Sequence, residues 1–406
     1  MLSPRRGRAV VALFGLLMLA ASCTRAVPTG AAPAPPLPRA LPAVTAGVDT
    51  ARGHIVERSG YPGLAASVAS AASAVARARY VSASGIDGSR TEVTGSFFVP
   101  RGPAPVGGWP VVSFAHGTTG ATQDCGPSSD SQLRGFAGYV AAILKAGYAA
   151  AVTDYQGLDG RTRSGSGQHP YLEPRTAALN VIDAVRALRE LSPAVSNRWV
   201  AVGISQGGQA AWSADELAGR FGGGLQLLGA AALAPAADIS EIADRAWEGT
   251  LTTGQVALMP MVVTGLSRAY GLDTTPYLHG FAASPLLLGC GTATQAAMAA
   301  VRAADLRPDS QGAAIELRDL LRADSLPQGR LTAPLLVVNG DEDDIVLPRW
   351  TDVAVGRACA AGGVVSHRVL SGVGHNDTVP DGDVARWIAD RFAGSPAPST
   401  CGKGHG

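Results

Sequence analysis

Charge is scarce in this chain. Asp, Glu, Lys and Arg make up 16% of its 406 residues, and 33 basic against 32 acidic side chains leave a net charge of +1. Beyond the first eight residues no Lys/Arg run occurs, so nothing supplies the positive face that nucleic-acid binding requires. Long apolar runs are also missing. The one over residues 9–21 falls short of the ~20 residues that span a bilayer. The patches at 256–263 and 281–288 are shorter and interrupted by Pro or Gly. No internal repeat is present, and the acidic cluster at 341–344 lacks the EF-hand pattern, so no metal site is expected. What the chain does have is 46% hydrophobic residues. With so little charge, that composition suits a large buried core, either one domain with an insertion or two domains.

The N-terminus has its own character. Arg5, Arg6 and Arg8 precede the apolar run, which ends in Ala20-Ala21-Ser22-Cys23. A basic segment, a short apolar segment and small residues make a secretory signal over residues 1–23. The small residues before Cys23 match a bacterial lipoprotein cleavage site, which would leave Cys23 to be acylated. Plain secretion is the alternative. Residues 24–46 are rich in Ala and Pro and read as an extended tether. Apart from Cys23 there are four cysteines, Cys125, Cys290, Cys359 and Cys401. In an exported chain they read as two bridges, with three connectivities open.

Further along, strand-like and helix-like stretches alternate. A helix is expected over 63–78, then antiparallel strands at 80–85 and 92–99 joined by Asp87-Gly88. Apolar strands are expected at 110–115, 148–153, 199–202, 227–233 and 334–339, and a further strand at 364–370. Helical periodicity covers 133–146, 175–191, 209–220 and 384–392. Alternation of this kind implies a mostly parallel sheet flanked by helices. The alternation stops over 238–328, which reads as an inserted helical cap on a core formed by 47–237 and 329–406.

One turn stands out. The apolar run from Trp199 to Val202 leads into Gly203-Ile204-Ser205-Gln206-Gly207, followed by a helical segment. A serine at such a strand-to-helix turn projects its hydroxyl from the sheet edge toward helix N–H groups. Glycine is 51 of 406 residues, so G-x-S-x-G would arise by chance roughly half a time. The motif therefore needs partners to carry weight. An acid and a histidine should follow, each past a later strand. The strand at 334–339 runs into Gly340-Asp341-Glu342-Asp343-Asp344, and the strand at 364–370 runs into a glycine-rich loop holding His375. His375 is the expected base. Asp343 is the preferred acid, with Val346 behind it and Asp344 next in line. Stabilising a developing oxyanion needs two N–H donors. Gln206 supplies one, and Thr118, or Gly117, supplies the other from the loop His116-Gly117-Thr118-Thr119-Gly120. An antiparallel start, a mid-chain nucleophile turn and this residue order point to the α/β-hydrolase architecture. His116, Asp154 and His169 read as loop-fixing groups.

These motifs resemble those of the secretory lipase family. The resemblance rests on Ala115-His-Gly-Thr-Thr-Gly120 with Cys125-Gly-Pro-Ser128, and on Thr153-Asp-Tyr-Gln-Gly-Leu158 with Gln168-His-Pro-Tyr-Leu172. Gly203-Ile-Ser-Gln-Gly-Gly208 and Ala234-Pro235 extend it, and together these run from about residue 80 to 401. It implies an exported carboxylic-ester hydrolase acting on ester or lipid substrates, with Ser205, Asp343 and His375 as its triad and no cofactor. It also implies the bridges Cys125–Cys290 and Cys359–Cys401. Membrane association would come only through a lipid on Cys23. Thr118-Thr119 departs from the fungal members, which supply an acidic residue in that loop. The same triad would also serve polyester hydrolysis or acyl transfer, and a non-catalytic surface binding protein could keep the fold.

Overall fold

The computed structural model describes residues 43–61, 63–158 and 168–402. The expected signal segment, Cys23, most of the tether and His405 lie outside them. Nine strands form one sheet: β1 (Ile55–Ser59), β2 (Ala72–Ala83), β3 (Arg90–Pro100), β4 (Trp109–Ala115), β5 (Ala149–Thr153), β6 (Val195–Ile204), β7 (Gln226–Leu233), β8 (Leu335–Gly340) and β9 (Val365–Leu370). Their order is β1-β2-β3-β5-β4-β6-β7-β8-β9. The first three strands and the β3–β5 pair are antiparallel, and every pair from β5 to β9 is parallel.

The helices in chain order are α1 (Ala46–Ala51), α2 (Ala66–Ala71), α3 (Ala137–Lys145), α4 (Pro174–Leu191), α5 (Gln206–Phe221), α6 (Ile242–Glu248), α7 (Thr253–Tyr270), α8 (Thr292–Met298), α9 (Gln311–Ala323), α10 (Pro348–Ala360) and α11 (Gly382–Ala393). Both faces of the sheet are covered. Val111, Trp199 and Ala201 turn to the face packed by α4 and α5, while Val112, Val200 and Val202 turn to the face packed by α3 and α11. Period-two alternation with both faces buried explains why these strands read as continuous apolar runs. This is the α/β-hydrolase fold. Among the described residues no helix is long and apolar enough to cross a membrane.

Two expected elements differ. Only Ala66–Ala71 of the expected helix at 63–78 is helical, and β2 takes over from Ala72. Eleven registered residue pairs with β3, together with pairing to β1 on its other edge, outweigh the local helix preference of alanine. The helix expected over 133–146 begins only at Ala137. Leu133 and Arg134 have φ of 52° and 54°, and Asp130 accepts the Gln132 N–H at 2.7 Å. A side-chain acceptor close in sequence offers the backbone an alternative to the helix.

Between β7 and β8 the chain forms α6 to α9 and short 3-10 turns, with no strand. It has its own apolar cluster around Met259, Val263 and Leu317. Two disulfides close, Cys125–Cys290 and Cys359–Cys401, the pairing implied by the resemblance. The first joins this helical stretch to the loop after β4.

Candidate active site

In the order β5-β4-β6 the chain crosses over β4 between successive strands, so the loops after β4 and β6 leave the sheet side by side. A crevice at the carboxyl ends of the strands is where open α/β sheets bind ligands. Ser205 sits there, between β6 and α5, with φ 57° and ψ −117°. A non-glycine residue adopts such dihedrals only when its surroundings hold it. Here the Ser205 N–H donates to the Leu233 carbonyl at 2.8 Å. The flanking glycines are needed for space. A Cβ on Gly203 would lie 2.0 Å from the Gly207 carbonyl oxygen, and one on Gly207 would lie 2.0 Å from that of Ala115. Strand, turn and helix therefore close only with glycine at both positions.

His375 stands beyond β9, with Nε2 2.9 Å from Ser205 Oγ and Nδ1 2.7 Å from Asp343 Oδ2. Asp343 is buried, and its Oδ1 accepts the N–H groups of Ile345 at 2.9 Å and Val346 at 2.8 Å. Of the neighbouring acids, Asp341 accepts the Gly372 N–H at 2.7 Å, and the backbone carbonyl of Asp344 accepts the Thr252 hydroxyl at 2.7 Å. The structure thus brings Asp343 to the histidine and leaves the other two elsewhere. Because the Asp343 carboxylate accepts from Nδ1–H, Nε2 of a neutral His375 carries a lone pair facing the serine hydroxyl.

Gln206 opens α5, so its N–H has no intrahelical acceptor. Gly117 lies across from it, and a Cβ there would be 3.8 Å from Ser205 Cβ. Gly117, Thr118, Ser205 and His375 border a cavity of ≈ 420 Å³. Phe136, Leu258, Met261 and Ile345 give much of its wall an apolar character. Among the described residues no group of three or more His, Cys, Asp or Glu could hold a metal ion.

The other expected groups fix loops. His116 Nδ1 donates to the Gly117 carbonyl at 2.7 Å, and burial lowers its pKa to about 4. Asp154 accepts the Ser128 N–H at 2.8 Å and also the Ser128 hydroxyl. His169 does more than the sequence suggests. Its Nδ1 donates to the Gln156 carbonyl at 2.9 Å, and its Nε2 lies 2.7 Å from Gln206 Nε2. Tyr171, two residues on, places its hydroxyl 2.6 Å from Thr118 Oγ1. The sequence offered a signal in His169-Pro170-Tyr171, a chemistry-bearing tripeptide, but nothing in it says which residues the two rings touch. The other described histidines have partners elsewhere: His54 is against Glu190, His279 against the Arg307 carbonyl and His367 against Asn339.

No curated protein matches the chain significantly in sequence. Solved structures match it in fold. Candida antarctica lipase A in its closed state superposes with a TM-score of 0.69 at 16% identity, covering 88% of this chain and 86% of that one. The rice cell wall degrading esterase LipA from Xanthomonas oryzae superposes with a TM-score of 0.64 at 18% identity, covering 84% and 98%. Residues 135–278 match the family model described as secretory lipase. This match, spanning the nucleophile turn and the start of the helical stretch, bears out the resemblance to the secretory lipase family that the sequence motifs carry.

Proposed function

We propose that the protein is an exported serine hydrolase that cleaves carboxylic esters through an acyl-enzyme. Ser205 Oγ attacks the ester carbonyl while His375 Nε2 takes its proton. The N–H groups of Gln206 and Thr118 hold the oxyanion. His375 then returns the proton to the leaving alcohol, and water, activated by the same imidazole, hydrolyses the acyl-enzyme. Asp343 fixes the tautomer and supports the imidazolium that forms. The observation that carries this reading is the hydrogen-bonded series Asp343–His375–Ser205 at a strained strand-to-helix turn.

The segment 238–328 acts as a cap on the reaction crevice. Its residues Leu258 and Met261 line the cavity, which favours an apolar acyl group over a charged one. Export, as a secreted or a lipid-anchored protein, is supported by two disulfides and by the basic-then-apolar N-terminus ending at Cys23, the residue a lipoprotein signal would leave to be acylated.

The test is hydrolysis of p-nitrophenyl esters from acetyl to palmitoyl by wild type and Ser205→Ala. Ester hydrolysis that disappears in Ser205→Ala is the expected result. A variant as active as wild type would sink the triad. A folded wild type that neither hydrolyses these esters nor reacts with a fluorophosphonate would point instead to a binding protein. Acyl transfer would show as ester product formed when an alcohol is added.

A further inference from the structure

We infer that His169 and Tyr171 are positioning residues that clamp the two sides of the oxyanion site, His169 through Gln206 and Tyr171 through Thr118. The inference rests on the ester-hydrolase reading and assigns a task to a buried tripeptide that the triad does not use.

Hydrogen-bond chemistry fixes the direction of the first contact. The Gln156 carbonyl can only accept, so the proton of His169 is on Nδ1. Nε2 is then a bare lone pair, and the Gln206 side-chain amide must donate to it at 2.7 Å. Burial keeps the ring neutral, with its pKa lowered to about 3. The other amide atom, Gln206 Oε1, is buried with no hydrogen-bond partner among the described residues. Among the described residues the polar hold on the Gln206 side chain is therefore His169 alone, although the two residues are 37 apart in sequence.

The second contact runs the other way across the site. Tyr171 is buried, yet its hydroxyl reaches Thr118 Oγ1 on the loop that faces Ser205. The tripeptide is itself tied down. The Tyr171 N–H donates to the His169 carbonyl at 2.9 Å, turning the chain tightly about Pro170. Arg268 of α7 donates to that same carbonyl at 3.1 Å and to the Ala121 carbonyl at 2.6 Å. One fixed piece of backbone thus carries a side-chain bond to each residue whose N–H meets the oxyanion.

Such donors act in the transition state, because the charge they stabilise is small in the ground-state ester. A clamp that holds their spacing should therefore appear in kcat and leave KM nearly unchanged. A role in folding alone would lower the fraction of folded enzyme and leave turnover per active site as it was.

The experiment measures kcat and KM of the whole mature chain on p-nitrophenyl butyrate, normalised to sites titrated with a fluorophosphonate. His169→Phe keeps a buried ring and loses the acceptor. His169→Gln keeps a polar group able to accept. Tyr171→Phe removes one hydroxyl, and Gln206→Met removes the amide. His169→Phe and Tyr171→Phe should each lower kcat roughly tenfold, less than the loss of a whole donor, with KM within about twofold of wild type. His169→Gln should recover part of the loss. The double variant His169→Phe/Gln206→Met should be no slower than the slower single one, since both remove the same bond. Wild-type kcat per titrated site in both Tyr171→Phe and Gln206→Met would overturn the clamp even if His169→Phe failed to fold. So would losses confined to KM. Absence of Ser205-dependent turnover in the wild type would instead overturn the ester-hydrolase reading, and the clamp with it.

Discussion

Asp343 holds His375 with one carboxylate oxygen and the later part of its own loop with the other. Oδ2 lies 2.7 Å from His375 Nδ1, while Oδ1 takes the N–H groups of Ile345 and Val346. The carboxylate therefore cannot turn without giving up bonds at both ends. Asp343→Asn tests what that arrangement does. The amide oxygen can keep the two backbone N–H groups, which leaves the NH₂ facing Nδ1. A donor there selects the imidazole tautomer with its proton on Nε2, pointed at Ser205 and unable to accept. We expect kcat on p-nitrophenyl esters to fall by a factor on the order of 10⁴, with the fold intact by circular dichroism. A fall below about tenfold would mean that Asp343 does not set the tautomer.

That loop also shows how much of the site is legible in the sequence. Three aspartates crowd 341–344, and the spacing from Gly340 to Val346 singles out Asp343, the residue the structure brings to His375. Ser205 can be found because it follows an apolar strand directly, and His375 because it lies in the glycine-rich loop just past a later strand. The contacts of His169 and Tyr171 are of another kind. They span 37 and 53 residues and depend on how a loop packs against a turn, which no periodicity encodes. The fold behaves likewise. The central strands are buried on both faces and read as apolar runs, whereas the exposed edge strand β1 lacks that signal. The alanine-rich start of β2 carries a helical preference that only pairing with its neighbours overrides.

His169 also sets a pH dependence. Its pKa falls from 6.5 in the ordinary imidazole to about 3 in the folded chain, because burial excludes the charged form. Between those values the unfolded chain binds a proton that the folded chain does not. The contribution of the neutral ring to stability is therefore complete above pH 6.5 and is lost progressively as pH falls toward 3. From pH 7 to pH 5 the loss amounts to about 2 kcal/mol. His169→Phe cannot take up that proton. Urea unfolding of both proteins at pH 7 and pH 5 should show wild type losing about 2 kcal/mol relative to the variant. A difference that does not change with pH would show that the ring is not kept neutral.

The helix that begins at the nucleophile is fastened to the chain returning from the helical stretch. Asp215 Oδ1 on α5 accepts the N–H groups of Thr332 and Ala333, each at 2.8 Å, and Glu216 accepts those of Gln328 and Gly329 at 2.8 and 2.9 Å. Asp215→Ala would leave two donors without their acceptor, and we expect a stability loss of about 2 kcal/mol in denaturant. Asp215→Asn should lose less, since its amide oxygen can still accept. Burial pushes the Asp215 carboxyl up to about 7. A carboxyl that binds its proton more tightly folded than unfolded makes stability fall as pH rises from about 4 to about 7. Asp215→Asn should lack that share of the slope. Equal slopes in wild type and Asp215→Asn would show that the carboxyl ionises at its ordinary pH.

The cavity over Ser205 makes a prediction about substrate length. Gly254, Ala257, Leu258 and Met261 line it from α7, and their spacing of three, four and seven residues puts them on one helix face. Ala257 is a small side chain on that face, so a larger one there takes room from the cavity. Ala257→Phe should shorten the preferred acyl chain. Activity on p-nitrophenyl palmitate should fall at least tenfold relative to p-nitrophenyl acetate, since each methylene denied burial forfeits about 0.8 kcal/mol. The readout is the ratio of kcat/KM for the two esters, which cancels any change in the amount of active enzyme. An unchanged ratio would mean that the acyl chain does not lie along α7. Phe136 and Tyr139 also line the cavity, and if the chain runs past them instead, Tyr139→Trp should alter the ratio that Ala257→Phe left alone.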